Sequence, residues 1–322
     1  MTRPDPLGVL NTTRAVVQQA RWVHLDPAGL ERLAATLLQR PDAMPTWEHP
    51  LHWRGDREQT ANYLLVLDAL NFCFWPEPRW RVEYNQRVYD GYWALAAALR
   101  RAIEHGYPVC EASYLANITA AELGTILAGE GIVPLLEERA AHLREVGQGL
   151  LAHFDGRFSA AIEHAAGSAT ELVRLLVAHF PSFNDVATYD GQPVHFYKRA
   201  QLLATDLAGA FAGRDLGKFH DLDQLTAFAD YKLPQVLRWY GALIYEPQLA
   251  AHIDRRDELP AASPQEVEIR AATVWAVQDL ASRLTSAGRS TPPWLIDWSL
   301  WNLGQTLPPH APPYHRTRTV FY

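Results

Sequence analysis

The sequence predicts a mainly α protein with a few short strands, and three observations carry that prediction. Helix starts are unusually legible. Thr119-Ala120-Ala121-Glu122, Ser168-Ala169-Thr170-Glu171 and Ser263-Pro264-Gln265-Glu266 each read as a capping box. In each, the Ser or Thr oxygen accepts from a first-turn N–H and the Glu reaches back to the cap. Long helical periodicities accompany these starts: Leu135 to Leu151, Leu172 to Phe180, Tyr197 to Phe211 and Val267 to Leu284. Convincing strands are few, and the clearest is Gln192 to Phe196, after the turn at Asp190-Gly191.

The totals bound what such a chain does. With 322 residues it is long enough for a large core. No fixed-period repeat, low-complexity stretch or linker interrupts it, so residues 1–322 are expected to form a single integrated domain. Hydrophobic content of 48% and charged content of 20% are ordinary for a soluble globular protein. Eleven tryptophans are many for this length, and some are expected to wall a cavity for something flat. The formal net charge of −7 speaks against broad nucleic-acid binding, which rests on neutralising phosphates with Lys and Arg. No stable nucleic-acid partner is therefore expected. Cys73 and Cys110 have no metal-like spacing and read as buried free thiols. No apolar run reaches transmembrane length and none follows the basic residue near the N-terminus, so a cytoplasmic protein is expected. The sequence leaves the oligomeric state open.

Taken in order, the chain opens with a helix over about Thr12 to Val23. A second begins at Asp26-Pro27, a capping residue with proline at the first helical position, and puts Leu30, Leu33, Ala34, Leu37 and Leu38 on one face. The loop PTWEHPLHWRGD carries two histidines and two tryptophans; a site and a packed surface loop explain it equally. The apolar run Tyr63 to Trp75 reads as a buried helix ending near Asn71. Arg81 to Val88 reads as a short hairpin, and Asp90-Gly91 turns the chain into an amphipathic helix, Tyr92 to Glu104. After the loop LPPHAPP, the tail YHRTRTVFY is too aromatic to fray and is expected to pack on the body.

The stretch Asp221 to Tyr245 reads as two short helices around a corner. Leu222, Leu225 and Phe228 have helical spacing, Pro234 suits a first turn, and Val236, Leu237, Tyr240 and Leu243 continue the second helix. Asp230 stands between them, ahead of a helix N-terminus where the backbone dipole favours negative charge. From these residues alone it is either a helix cap or a catalytic carboxylate. No Gly-rich phosphate loop, HExxH, zinc-spaced Cys/His set or GxSxG elbow is present. Composition and spacing name no substrate.

A set of strings does. FADYKLPQVL, FPSFND, FYKRAQ, QEVEIRAATVW and YHRTRTVFY, with NFCFWPEPRW, YDGYWAL, EASYLA and VPLLEERAAHL, resembles the queuosine salvage protein family from about residue 10 to the end. The resemblance implies a helical fold distantly related to helix-hairpin-helix DNA glycosylases. It also implies hydrolysis of queuosine 5′-monophosphate to queuine and ribose 5-phosphate, with neither cofactor nor metal. Where those glycosylases carry a Gly-rich hairpin, this chain reads LPQVLRWYG, which puts a backbone grip on a DNA phosphate in doubt.

With the resemblance, Asp230 becomes the expected catalytic carboxylate, since cleaving an N-glycosidic bond builds positive charge on the ribose. Queuine is a 7-deazapurine, so the ring nitrogen that purine hydrolases protonate is absent, and no residue is assigned as proton donor. Its secondary amine is cationic at neutral pH, and Asp297 in PPWLIDWSLWN is the expected carboxylate partner, with Trp301 and Asn302 one turn on. A solvent-facing Asp on a Trp-packed helix is the alternative. Phe228 is a candidate to stack on the base, or a core residue. His52 is favoured over His49 as a hydrogen-bond partner, because the family pattern places its histidine nearer His52. For the 5′-phosphate, Lys198 and Arg199 open a helix, and Arg316 and Arg318 are rivals, with surface salt bridges the plain alternative. Asp185 is read as structural, paired with one of these arginines. Two other functions fit parts of the pattern. A polynucleotide base-excision glycosylase needs a basic face and salt-sensitive DNA binding. A non-catalytic carrier of queuine or its nucleotide explains the aromatic residues but not the carboxylate beside the sugar.

Overall fold

The computed structural model describes residues 4–40 and 46–322, so Pro45, the first residue of the His/Trp loop, lies outside the described residues. Among the described residues the chain is mainly helical, and the strands form three two-stranded antiparallel ribbons. It divides into two compact units. One comprises the chain up to residue 45, Asp185–Lys198 and Asp221–Arg318; the other comprises Thr46–Asn184, Arg199–His220 and Thr319–Tyr322.

The first unit is built around the helix Pro264–Ser286, which is buried on most sides. Against it lie the helices Val9–Gln19, Pro27–Gln39, Lys232–Trp239 and Pro293–Gln305. Leu30, Leu33 and Leu37 meet Val236, Leu237, Ile269, Val277, Leu280, Ile296 and Leu300 in one apolar cluster. Fully burying each such side chain is worth about 1.5–3 kcal/mol, so this cluster holds the helices in place. Ser263 caps the central helix, accepting from Glu266 N at 3.4 Å, but the expected capping box is incomplete: the Glu266 carboxylate accepts from Ala262 N, and Ser263 N donates to the Pro260 carbonyl. Asp26 caps the Pro27–Gln39 helix, accepting from Gly29 N at 2.7 Å.

Two expected helices end early in this unit. The first runs Val9–Gln19, and Val23 belongs instead to the strand Val23–Leu25. Buried Glu268 takes the N–H groups of Arg21, Trp22 and Val23, so helical bonding cannot continue through them. The strand pairs with Leu243–Tyr245, Leu25 facing Leu243, which removes Leu243 from the expected second corner helix. Before that corner, the expected Leu222–Phe228 helix is a single 3₁₀ turn, Leu222–Gln224, followed by irregular chain up to Asp230. The Phe228 N–H and the Ala229 carbonyl are bonded to side chains of Asp297 and Arg270, which leaves them outside any helical ladder.

In the second unit the helix Arg57–Ala69 is buried continuously from Thr60 to Ala69. Its start is a capping box of Asp56 and Gln59. Its open C-terminal carbonyls, Asp68 and Ala69, accept from buried Arg199. The hairpin Arg81–Tyr84/Arg87–Asp90 turns at Asn85 and Gln86, with φ of 49° and 62°, the geometry of a type I′ turn. The helices Gly91–Glu104, Leu136–His153, Ala169–His179 and Lys198–Ala210 lie close to their expected spans. Thr119 and Glu122 complete both bonds of a capping box, and Ser168 accepts from Glu171 N at 3.1 Å. Cys73 is buried and Cys110 half-buried, and neither forms a disulfide. Tyr314, His315 and Thr317 of the tail are buried, as is Tyr322. No described helix is long and apolar enough to cross a membrane.

One close approach fixes the corner of the first unit. A Cβ on Gly29 would lie 1.9 Å from the Gly241 carbonyl oxygen, so only glycine lets the Pro27–Gln39 helix approach the chain there. Gly29→Ala is expected to lower the unfolding free energy by about 1–3 kcal/mol, measured by denaturant titration; a variant as stable as the parent contradicts the packing described.

Candidate active site

Of the two roles that the sequence leaves open for Asp230, the helix cap is present. Asp230 Oδ1 accepts from Lys232 N at 2.8 Å and Leu233 N at 2.9 Å, so it caps the Lys232–Trp239 helix. Its Oδ2 has no hydrogen-bond partner among the described residues. Capping therefore engages one oxygen and orients the other. The residue keeps 8% of its surface exposed, and burial pushes its pKa above the ordinary aspartate range, against the charge of Lys198 and the two N–H groups.

Asp297, on the Pro293–Gln305 helix, reaches the same stretch of chain. Its Oδ2 accepts from Phe228 N at 2.7 Å, and Oδ1 has no hydrogen-bond partner among the described residues. It is buried, which excludes the solvent-facing alternative. Burial pushes its pKa well up, and the negative charge of Asp230 pushes it further. Lys198 opposes the shift at both carboxylates. Of the pair, Asp230 has the stronger support for its charge, through two N–H donors and Lys198.

The other expected residues divide. Lys198 is buried in the first unit, and its own N–H donates to Asp185 Oδ2 at 3.1 Å. The anion at this helix start is thus an internal carboxylate. Asp185 does not pair with Arg199, Arg316 or Arg318: it forms a bidentate pair with Arg270, at 2.9 and 2.6 Å. Arg199 is spent on main-chain carbonyls, and Arg318 lies 3.6 Å from Glu258 at the surface. Phe228 is almost fully buried beside Asp230 in sequence. Trp301 packs against the apolar cluster, half-buried. Asn302 is exposed; five residues past Asp297, it sits about 140° round the helix, away from the buried carboxylate.

His52 belongs to the second unit. Its Nδ1 lies 2.5 Å from the Trp47 carbonyl, which only accepts, so Nδ1 carries the proton. Nε2 then accepts from Tyr92 Oη at 2.7 Å. Burial lowers its pKa to about 4, so it is neutral at pH 7. It stacks on Trp47, with centroids 4.1 Å apart, while His49 stacks on Trp93. Both ring nitrogens of His52 are therefore engaged within the protein. Among the described residues no group of three or more His, Cys, Asp or Glu side chains is arranged to hold a metal ion.

Arg270 is not among the residues that the sequence points to. Its signal is the alternation of Glu266, Glu268 and Arg270 with the apolar Val267 and Ile269; all five are buried. Such charges need buried partners, and the partners lie at Asp185 and Ala229 for Arg270, and at residues 21–23 for Glu268.

These features define a mainly helical protein with two buried carboxylates gathered on one short stretch of backbone. The family model described as queuosine salvage protein matches residues 51–322. The queuosine 5'-phosphate N-glycosylase/hydrolase of Sphaerobacter thermophilus is 57% identical over 318 residues, covering 99% of this chain and 98% of its own. The protein of the same description from Mus musculus is 36% identical over 335 residues, covering 98% and 99%. That from Schizosaccharomyces pombe is 27% identical over 317 residues, covering 92% and 91%. The chain belongs to the queuosine salvage protein family.

The raised pKa of Asp297 has a definite sign for stability. The native state holds the Asp297 proton more tightly than the unfolded chain, whose aspartates titrate near about 3.9. Its contribution is favourable below that pH and is lost as pH rises through the raised folded value. Asp297→Asn removes that loss. It is expected to raise the denaturant midpoint at pH 8 and leave it near the parent at pH 3; a lower midpoint at pH 8 contradicts the assignment.

Proposed function

We propose that this protein hydrolyses the N-glycosidic bond of queuosine 5′-monophosphate, releasing queuine and ribose 5-phosphate. The observation that carries the reading is the orientation of Asp230: one oxygen tied to two N–H groups, the other left for a ligand. As the bond to the base breaks, C1′ of the ribose becomes cationic, and this free oxygen stabilises the developing charge. The oxygen of water adds to C1′ and gives up a proton, while the base departs with the bonding electrons and takes up a proton, so that one water is consumed and queuine is released with a neutral ring. Lys198 helps keep Asp230 ionised and is the candidate for the 5′-phosphate, which hangs on the same ribose.

Asp297 answers the cationic amine of queuine. An ammonium at its free oxygen offsets the burial that otherwise favours the protonated acid. Phe228 and Trp301 are the aromatic candidates for contact with the base. His52 is a candidate hydrogen-bond partner at Nε2, the nitrogen that the Tyr92 hydroxyl occupies. Asn302, exposed, is the weakest of the proposed contacts. The names of the relatives support the activity, and their matches run nearly end to end. Residues 1–322 act as one functional domain in this reading, since the chain passes repeatedly from one compact unit to the other. The net charge of −7 favours a mononucleotide over a polynucleotide substrate. The thiols Cys73 and Cys110 fit a cytoplasmic setting.

Asp230→Asn tests the role. The amide oxygen still accepts from Lys232 and Leu233, so the helix cap and the fold are retained. Turnover, read as free queuine by mass spectrometry, is expected to fall by roughly 10²- to 10³-fold. Turnover near that of the parent in the folded variant contradicts the proposal.

A further inference from the structure

We propose that Arg270 and Asp185 are positioning residues that set Asp230 and Lys198 at a fixed separation; the inference rests on the reading of Asp230 as the catalytic carboxylate. The connection is continuous. Arg270 Nε donates to the Ala229 carbonyl at 3.0 Å, one residue before Asp230. Its two terminal nitrogens grip both oxygens of Asp185. Asp185 Oδ2 also accepts from Lys198 N, and the Asp185 carbonyl accepts from Phe196 N at 3.0 Å and Tyr197 N at 3.1 Å.

The chain has particular need of this hold at both ends. Tyr197, directly before Lys198, has φ of 50°. A bulky residue occupies that left-handed region only where its surroundings impose it, and the Asp185 carbonyl on its N–H supplies that constraint. At the other end, residues 225–230 have no helix or strand to hold them. Asp297 on Phe228 N and Arg270 on the Ala229 carbonyl fix the two peptides that lead into Asp230.

The pair is built for geometry more than for stability. Both side chains are about 2–3% exposed, and the guanidinium lies 3.9 Å over the Phe196 ring. A buried ion pair gains little net stability over an apolar replacement, because two charges leave water. A planar guanidinium that meets a carboxylate with two nitrogens and a carbonyl with a third fixes direction as well as distance, which Lys cannot do. Glu266 lies 3.7 Å from Arg270 Nε as a second carboxylate beside the guanidinium.

The test is a double-mutant cycle on the full chain with queuosine 5′-monophosphate as substrate. Arg270→Lys keeps the charge and loses the fork. In protein that still melts cooperatively, kcat is expected to fall by about 10- to 100-fold, the scale of a misplaced reacting group. In an Asp230→Asn background the same substitution is expected to change residual turnover by less than about twofold, because its effect passes through Asp230. A parent-like kcat for Arg270→Lys, or an equal loss with and without Asp230, overturns the proposal. If Arg270→Lys is not recovered folded, the isosteric Asp185→Asn takes its place in the same cycle, with the same two criteria and a raised KM expected from the Lys198 end. Full turnover by Asp230→Asn alone would instead sink the underlying reading, so the two failures are distinguishable.

Discussion

Two carboxylates held out of water on one short run of backbone are the constraint around which the first unit is organised. Burial raises the pKa of both Asp230 and Asp297. What keeps them in place is main-chain N–H: Lys232 and Leu233 for one, Phe228 for the other. These bonds draw the chain from Phe228 to Leu233 around the two side chains. They also explain why no helix forms ahead of Asp230, although Leu222, Leu225 and Phe228 have helical spacing. The peptide groups there are committed to side chains from two distant helices.

One of those helices, Pro264–Ser286, combines roles that are usually separate. Ile269, Val277 and Leu280 anchor the apolar cluster. Within the same helix, Glu268 gathers the N–H groups that end the first helix and receives the Tyr189 hydroxyl at 2.7 Å. Arg270 reaches both Asp185 and the peptide before Asp230. Core and polar scaffold are thus one element.

What was legible in the sequence follows from range. Caps are local, so Asp26, Thr119, Ser168 and Ser263 were readable from three or four neighbouring residues, and Asp56 with Gln59 carried the same signal unread. Long helices were readable from periodicity. Asp230 is conspicuous from the helix start that follows it, and its capping bonds are local too. The strand Val23–Leu25 was not readable, because its partner lies over 200 positions along the chain. Arg270 was missed for the same reason: its partners are 85 and 41 positions away. Asn302 was placed beside Asp297 by spacing along a helix, whereas rotation about the helix axis turns it outward. The engagement of His52 is only half local: the Trp47 carbonyl at its Nδ1 is five residues away, whereas the Tyr92 hydroxyl at its Nε2 is forty positions on.

The most direct test of the account is a crystal structure of the protein with queuine bound. The expected result places the amine of queuine in hydrogen-bond contact with the free oxygen of Asp297, and the free oxygen of Asp230 facing the ring nitrogen that carries the ribose. Queuine seated away from both carboxylates, with those two oxygens turned to solvent, would contradict it.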